Sequence, residues 1–185
     1  MKKHLILCIA LVALMASCVK EPTIYRRLLD EDAAAIPYQK GQTAKFINQD
    51  GDTLLCRVAY DDIQLFSEDT WEYPYDSKMS IIRQPWCYAR TVLLRGSANS
   101  TFEEMMFTVI PDKHLYFRWN YEMSLPSINL NEMTETVEVN GVTYENVHIK
   151  YSNTQSGELN FLWYYSEEVG LIAVKYKDHS LTLVP

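Results

Sequence analysis

The sequence predicts an all-β protein: a single antiparallel meander that forms a curved sheet, half-barrel or barrel, with a two-sheet sandwich as the alternative. Three observations predict it. The 185 residues include thirteen Tyr and only six Gly, alongside many Val, Ile and Thr residues, which favours strands. Apolar and polar residues alternate along short runs. Turn-forming pairs, of which Asp50-Gly51 and Asn140-Gly141 are the clearest, separate these runs.

Residues 1–17 have the layout of a secretory signal peptide. Two lysines follow the first residue, the run from Leu5 to Met15 is apolar, and Ala16 and Ser17 supply the small side chains that a signal peptidase accepts. The apolar run is too short to span a bilayer, since a transmembrane helix needs about 20 residues. We therefore expect residues 1–17 to be removed from the mature chain.

The leader ends in the stretch LMASC, whose cysteine is Cys18. This stretch resembles the lipobox of bacterial lipoproteins, although Met15 stands where that family usually has Leu. The resemblance implies that the Cys18 sulfur receives a diacylglyceryl group, that the chain is cut before Cys18, and that the new amino terminus is acylated. Several acyl chains would anchor the protein stably in the outer membrane of the cell envelope. The domain would face either the periplasm or the cell exterior. The alternative is an ordinary cleaved signal with a chance cysteine.

The charge of the mature chain argues against nucleic acid as a partner. Without Lys2 and Lys3, 15 basic residues face 24 acidic ones, so the formal charge changes from −7 to −9. Binding to phosphates needs a basic surface. Only Arg26 and Arg27 form a basic cluster, and it lies near the anchor, where it would meet anionic headgroups or water.

Residues 18–40 are predicted to form a tether with a short helix around residues 25–34, and residues 41–185 to form the β domain. Pro22 and Pro37 stand near the ends of the tether. The predicted strands are, in order, TAKFI, TLLCRVAY, CYARTVLLRG, TFEEMMFTVI, KHLYFRWNYE, TETVEV, VTYENVHIKY, ELNFLWYYS, GLIAVKYK and SLTLV. The short polar turns between them indicate a meander.

Alternation predicts which face of each strand is buried. In NVHIKY, the buried face is expected to carry Val147, Ile149 and Tyr151, and the polar face His148 and Lys150. The runs ELNFLWYY and GLIAV are apolar on both faces. We expect these two strands to lie centrally, or to face a cavity on one side.

Three stretches, FINQDGDT, VNGVTYENVHI and YYSEEVGLIAV, resemble recurring pieces of small uncharacterised envelope lipoproteins of Bacteroidetes-type bacteria. The resemblance covers the first hairpin and the C-terminal third of the chain. Because these pieces encode turns and core strands, they imply kinship of fold and carry over no functional residue.

The sequence contains no pattern typical of a catalytic, cofactor or metal site. GxSxG, HExxH, CxxC and phosphate-cradling glycine loops are absent. The histidines of the mature chain, His114, His148 and His179, stand at no spacing that would place two ligands on one face. We therefore expect all three at the solvated surface, with neither a metal nor a cofactor.

Adjacent acidic residues recur along the chain. The pairs are Asp61-Asp62, Glu103-Glu104 and Glu167-Glu168. Two neighbours on a strand point to opposite faces, so no such pair can serve one substrate as acid and base. These observations make a non-enzymatic function the first expectation.

The stretch EDTWEYPYDSK places Trp71, Tyr73 and Tyr75 in a predicted loop with acids between them. Exposed aromatic rings with nearby carboxylates can stack on sugar faces and bind their hydroxyls, so these three residues are candidate ligand-binding aromatics. The alternative is a structural role, in which the rings cover the end of the sheet.

Two cysteines remain once Cys18 carries lipid and the leader is removed. Cys56 shares a strand face with Leu54 and Val58, and Cys87 shares one with Ala89, so both sulfurs are predicted to point into the core. In an oxidising compartment the pair could form a disulfide that closes a loop of about 30 residues. Two buried free thiols on strands that never meet are the alternative.

Two functions are open from the sequence. The first is a membrane-anchored envelope lipoprotein that binds a partner protein, a glycan or an apolar ligand. The second is an enzyme acting on glycans, with carboxylates from separate strands. Carboxyl groups about 5–10 Å apart in a cleft would favour the enzyme. A large apolar cavity would favour the carriage of an apolar ligand.

Overall fold

The computed structural model describes residues 26–66, 69–72, 80–83, 87–98, 101–120, 123–153 and 159–185. Within these residues the chain forms one short helix and thirteen strands. They are α1 Asp30–Ala34, β1 Thr43–Asn48, β2 Thr53–Phe66, β3 Asp69–Glu72, β4 Ser80–Arg83, β5 Cys87–Ala98, β6 Thr101–Ile110, β7 His114–Trp119, β8 Met123–Asn129, β9 Glu135–Val139, β10 Val142–Asn153, β11 Leu159–Ser166, β12 Gly170–Tyr176 and β13 His179–Leu183. Every strand pairing is antiparallel, which confirms the all-β prediction.

The described residues belong to two compact units. The smaller unit contains the hairpin of β3 and β4, in which Trp71 lies opposite Ile81. Trp71 was predicted to lie in a loop. That prediction is wrong, because the backbone of Trp71 belongs to strand β3 and pairs with β4. Tyr73 and Tyr75, like Cys18, lie outside the described residues.

The larger unit, residues 26–66 and 87–185, is built on one eleven-stranded sheet. Its strand order is β8-β7-β6-β5-β2-β1-β13-β12-β11-β10-β9. Strands that follow each other along the chain of the larger unit are neighbours in the sheet, with one exception: β8 and β9 are its two edges. In the middle of the sheet, β1 pairs with β13. The sheet is therefore two meanders joined by the pairing of its first and last strands.

The length of one connection requires this sheet to curl. Residues 130–134 join β8 to β9, which are the two edges of the sheet. Ten strand spacings of about 4.8 Å would put the edges roughly 48 Å apart in a flat sheet. Six peptide units span at most about 20 Å. The sheet accordingly forms a half-barrel, one of the predicted architectures, and the two-sheet sandwich is not adopted.

The two predicted hairpin turns are confirmed. Asn140 and Gly141 have φ values of 52° and 77°, the left-handed pair that a two-residue turn between twisted strands requires. In the first turn, the Asn48 side chain accepts hydrogen bonds from the backbone N–H groups of Asp50 (3.0 Å) and Asp52 (2.8 Å). Both turns thus fix the register of the strands that they join.

Aromatic rings fill the inner face of the half-barrel. Phe117, from β7, stacks on Phe107 with ring centroids 4.9 Å apart and on Trp163 with centroids 5.3 Å apart. Tyr165 and Tyr38 lie 6.0 and 5.4 Å from Phe107. Because β6 and β7 belong to one half of the sheet and β11 to the other, these contacts close the core across the interior.

Residues 28–38 are part of this core, although the β domain was predicted to begin at residue 41. Ala35, Ile36 and Tyr38 are buried. The Tyr165 hydroxyl donates to the carbonyl of Ala35 (2.7 Å), and the Tyr38 hydroxyl accepts from the N–H of Leu171 (2.8 Å). The predicted tether therefore includes a segment, residues 28–38, that closes one end of the half-barrel.

Arg90 holds that segment in place. Its guanidinium donates to the carbonyl oxygens of Ala33 (2.7 Å), Ile36 (2.7 Å) and Tyr38 (2.6 Å). It also makes two bonds, of 2.8 and 2.9 Å, to the carboxylate of Asp61. Arginine suits this role because its planar fork presents five donors at fixed angles.

The predicted disulfide between Cys56 and Cys87 is wrong, and both thiols are free and buried. The cysteines do lie on neighbouring strands, β2 and β5. However, Cys56 is opposite Gly96 and Cys87 is opposite Phe66. Nine residues of β5 separate Gly96 from Cys87, about 30 Å along a strand. This far exceeds the roughly 7 Å that a disulfide allows between Cα atoms.

The face assignment predicted for β10 is also wrong beyond Val147. A bulge shifts the register between Tyr144 and Val147, next to Asn146 with φ of 54°. Beyond it, His148 lies opposite the buried Tyr165, while Tyr151 is 63% exposed. Directly opposed residues share one side of a sheet. The polar residues of β10 therefore face the interior.

Candidate functional site

His148 is the centre of a buried polar cluster on the inner face. It was predicted at the solvated surface but is only 3% exposed. Its Nε2 lies 4.0 Å from Oε1 of Glu167, whose Oε2 accepts a hydrogen bond from Lys113 Nζ at 3.0 Å. Burial lowers the pKa of His148; the nearby Glu167 and Glu132 oppose that shift and Lys113 adds to it. On balance these surroundings favour the neutral imidazole over the charged one.

Two buried nitrogen atoms on this face have no hydrogen-bond partner in the described part of the chain. They are Nδ1 of His148 and Nε1 of Trp163. Lys150 lies directly opposite Trp163, and the half-buried Ser152 lies opposite Phe161. Polar groups thus run along β10 from a closed end at His148 toward a more open end at Ser152. Such a row can hydrogen-bond to polar groups or to water.

The carboxylates of β2 and β6 have structural partners. Glu103 Oε2 accepts from Trp119 Nε1 at 2.6 Å and from Asn120 Nδ2 at 2.7 Å. Glu104 Oε1 accepts from Arg95 Nε at 2.6 Å. These neighbours on β6 therefore act on opposite faces, as the alternation predicts. Together with Asp61 and its bonds to Arg90, they hold strands and turns in place.

Two of the clefts formed by the described residues are open to solvent. One, of about 740 Å³, is lined mainly by residues 37–45, with Glu168 and Val169 on the opposite wall. The other, of about 670 Å³, lies between residues 26–32 and the β6–β7 turn at Pro111–Lys113. Arg26 forms an ion pair with Asp112 within the second cleft. The lining of the first cleft mixes polar and apolar groups. Charged side chains of both signs dominate the second, which Arg27, Glu31 and Lys113 also line.

Across the described ranges, no three His, Cys, Asp or Glu side chains stand close enough together to hold a metal ion. None of the helices in these ranges has the length and apolar character needed to cross a bilayer.

An exposed apolar patch lies on the outer face of the sheet, across strands β10 to β13 and the adjoining strands β1 and β2. Strand register places two adjacent rows of side chains on this face: Ile149–Tyr164–Ala173–Thr182–Ile47 and Tyr151–Leu162–Lys175–Ser180. Leu55 extends the patch onto β2, where it lies opposite Lys45. Tyr151 is 63% exposed, Leu55 58% and Ile47 37%.

All charged side chains on this face are basic. They are Lys45 on β1, Arg57 on β2 and Lys175 on β12. None of the outer positions that the register assigns to β1, β13, β12, β11 and residues 148–153 of β10 holds Asp or Glu. Beside these positions, Arg57 lies opposite Arg95 of β5, which in turn lies opposite the buried Glu104 of β6 and forms an ion pair with it. Other acids lie in turns, at Asp52 and Asp178, and on the edge strand β9. We call this surface the apolar–basic face.

Sequence reasoning located neither the buried cluster nor the apolar–basic face. A signal for the second was present, because ELNFLWYY and GLIAV are apolar on both faces. These strands do lie centrally, between β10 and β13, and Leu162, Tyr164 and Ala173 on their outer side are half-buried. His114 is half-buried and His179 is exposed, so the surface prediction is right for His179.

Comparison of the chain with protein-family models, with curated proteins and with solved structures finds no match.

Proposed function

We propose that this protein is a lipid-anchored lipoprotein of the cell envelope whose β domain is a non-catalytic interaction module. The anchor is Cys18, at the end of the signal-like leader and its LMASC stretch. The observation that carries the interaction role is the apolar–basic face. Contiguous exposed apolar side chains on a folded domain are typical of a surface that meets another surface.

The packing of the interior supports a surface role over the carriage of an apolar ligand. Phe107, Phe117 and Trp163 occupy the middle of the half-barrel and contact each other's rings. A carrier would need that volume empty, since small-molecule pockets hold about 300–1,000 Å³. Such a ligand could enter only if these rings moved apart.

The partners of the carboxylates support a binding role over glycan hydrolysis. A glycosidase needs two carboxyl groups that face one cleft and remain available to substrate. Glu103 and Asp61 are instead engaged by Trp119, Asn120 and Arg90 at 2.6–2.9 Å. A substrate that bound these carboxylates would have to displace their present hydrogen-bond partners, and the contacts between strands would be lost.

The anchor is tested with the full chain and its Cys18→Ser variant, expressed in a bacterium that acylates lipoproteins. We expect the unmodified chain to incorporate labelled palmitate and to sediment with membranes, and the variant to do neither. Cys56→Ser is the matched control, because it removes a buried thiol and leaves Cys18 in place. Palmitate labelling of Cys18→Ser at the level of the unmodified chain would refute the anchor.

A further inference from the structure

We propose that the apolar–basic face docks on the anionic lipid surface of the membrane to which the chain is anchored. This inference rests on the proposed lipid anchor and names the partner of the interaction surface. It is argued from the charge of that face, from its exposed side chains and from the short chain between Cys18 and the folded domain.

The first argument is charge. The chain without its leader has a formal charge of −9, because 15 basic residues face 24 acidic ones. An anionic bilayer repels such a protein unless the approaching surface is free of acidic groups. The outer positions of the apolar–basic face hold Lys45, Arg57 and Lys175 and no carboxylate. This face is therefore suited to approach the headgroups.

The second argument is the chemistry of the exposed side chains. Tyr151, Leu55 and Ile47 are 63%, 58% and 37% exposed, so they can enter the headgroup region without unfolding the sheet. Tyrosine is enriched at the boundary between membrane and water because its ring is apolar and its hydroxyl is wet. Lysine can lay its apolar stem along the surface and keep its charge in water.

The third argument is distance. Arg26, where the described part of the chain begins, follows Cys18 by eight residues. Eight peptide units span at most about 28 Å, which is less than the diameter of a domain of this size. A lipid on Cys18 would thus keep the domain at the bilayer, where even a weak face can bind, because tethering raises the effective concentration.

A second copy of the chain fits this face less well. A two-fold dimer would place the same patch on both partners. Lys45, Lys175 and Arg57 would then face other parts of the same patch, whose outer positions hold no carboxylate. An anionic lipid surface supplies the missing negative charge, and a zwitterionic one does not.

The experiment uses the mature chain, residues 18–185, with Cys18→Ser so that no acyl group contributes. Sedimentation with vesicles of equal parts phosphatidylglycerol and phosphatidylcholine is compared with sedimentation with pure phosphatidylcholine. We expect binding to the anionic vesicles alone, and a loss of at least about fivefold in affinity between 0.05 and 0.5 M NaCl, as screening of surface charges requires.

Two matched pairs of variants test the face itself. Leu55→Glu changes the face, and Ile63→Glu places the same charge at a 53% exposed position of the same strand, outside it. Lys175→Glu changes the face, and Arg118→Glu makes the same charge change at an exposed position of β7. The face variants should bind at least about fivefold more weakly than their controls, since each basic residue near an anionic surface contributes about that factor.

Equal binding to both kinds of vesicle, or equal effects of the face variants and their controls, would overturn the inference. Absence of vesicle binding by the unmodified domain would do the same, and would leave a protein surface as the partner of this face. The proposed function is tested separately by palmitate labelling of Cys18. A labelled chain whose domain ignores anionic vesicles would therefore refute the docking and retain the anchor.

Discussion

Arg90 is the side chain on which the closed end of the half-barrel depends. It satisfies three carbonyl oxygens of a segment that has only one short helix of its own, at α1. A backbone carbonyl buried without a donor costs free energy comparable to a lost hydrogen bond. For these three carbonyl groups of residues 33–38, one arginine thereby supplies the hydrogen bonds that a neighbouring strand would otherwise have supplied.

Arg90→Met is expected to lower the free energy of unfolding by about 3 kcal/mol or more, because it leaves the Asp61 carboxylate and three carbonyls without their donor. Urea unfolding followed by circular dichroism measures the change. Arg118→Met, on an exposed position of β7, is the control and should stay within about 0.5 kcal/mol of the unmodified protein. Equal stability of the two variants would show that the Arg90 contacts contribute nothing net.

The buried His148 predicts a dependence of stability on pH. Burial holds its pKa below the ordinary value of 6.5, so the folded protein binds fewer protons at this residue than the unfolded chain. The contribution of His148 to stability is therefore fully present above pH 6.5. It is lost as the pH falls through 6.5 toward the lower pKa of the folded state.

Urea unfolding at pH 7.5 and pH 5.5 tests this expectation. The unmodified protein should lose more stability between the two values than His148→Gln does, since glutamine cannot take up the proton. His179→Gln is the control, because it makes the same replacement at an exposed histidine. The same decline in all three proteins would place the titrating group elsewhere.

At the scale of elements, the start of β12 shows how closely two segments meet. Gly170 has φ of 86°, and a Cβ placed there would overlap the ring of Tyr38. Only glycine permits both the left-handed backbone and the approach of that ring. The contact brings the hydroxyl of Tyr38 to the N–H of Leu171, on the next residue of the strand.

Gly170→Ala is expected to cost about 2–4 kcal/mol of stability, from the left-handed backbone and the overlap with Tyr38 together. Gly51→Ala is the matched control, because its φ is 82° and nothing lies within 4 Å of the added Cβ. The control should cost only the backbone part, about 1–2 kcal/mol. Equal losses in thermal or urea unfolding would mean that Tyr38 moves aside at no cost.

Much of the strand pattern could be predicted from sequence, because turns and alternation are local signals. Asn140-Gly141 fixes a hairpin through its own dihedral angles. β8 was not predicted, because Pro126 lies within it and proline usually argues against a strand. The proline is tolerated there because β8 is an edge strand of the sheet. The sequence of β8 does not show that this strand pairs with a neighbour, β7, along only one of its two edges.

The buried cluster could not be predicted for a different reason. The alternation of Ile149 and Tyr151 with Val147 predicted that this apolar row faces the core, but Tyr151 is 63% exposed, while His148 and Lys150 lie opposite the buried Tyr165 and Trp163. The bulge before Val147 changes the side that these residues take relative to residues 142–144. The position of such a bulge is set by the pairing of β9 with β10, which a single strand does not reveal.

At the scale of the whole molecule, the folded unit begins before its first sheet strand. Ala35, Ile36 and Tyr38, which precede β1 in the chain, are buried in the core. Burial of a large apolar side chain contributes about 1.5–3 kcal/mol. Together with the bonds to Arg90 and Tyr165, this segment accounts for a large share of the 5–15 kcal/mol that is typical of a domain.

A chain that begins at residue 41, the predicted boundary of the β domain, is therefore expected not to unfold cooperatively. A chain that begins at residue 26 should unfold in a single transition, because it retains every contact of residues 28–38 described above. Urea titrations followed by tryptophan fluorescence compare the two. Similar midpoints for both chains would show that the half-barrel is stable without its closing segment.

The pairing of β1 with β13 also sets the order in which the molecule can be completed. Phe46 and Leu183 lie opposite each other although almost the entire domain separates them in sequence. Because β13 follows every other strand of this sheet along the chain, hairpins within each meander can form before their joint does. Contacts this distant are formed slowly, since the loop between them must first be closed. Until β1 and β13 pair, the chain can hold only separate half-sheets with open edges.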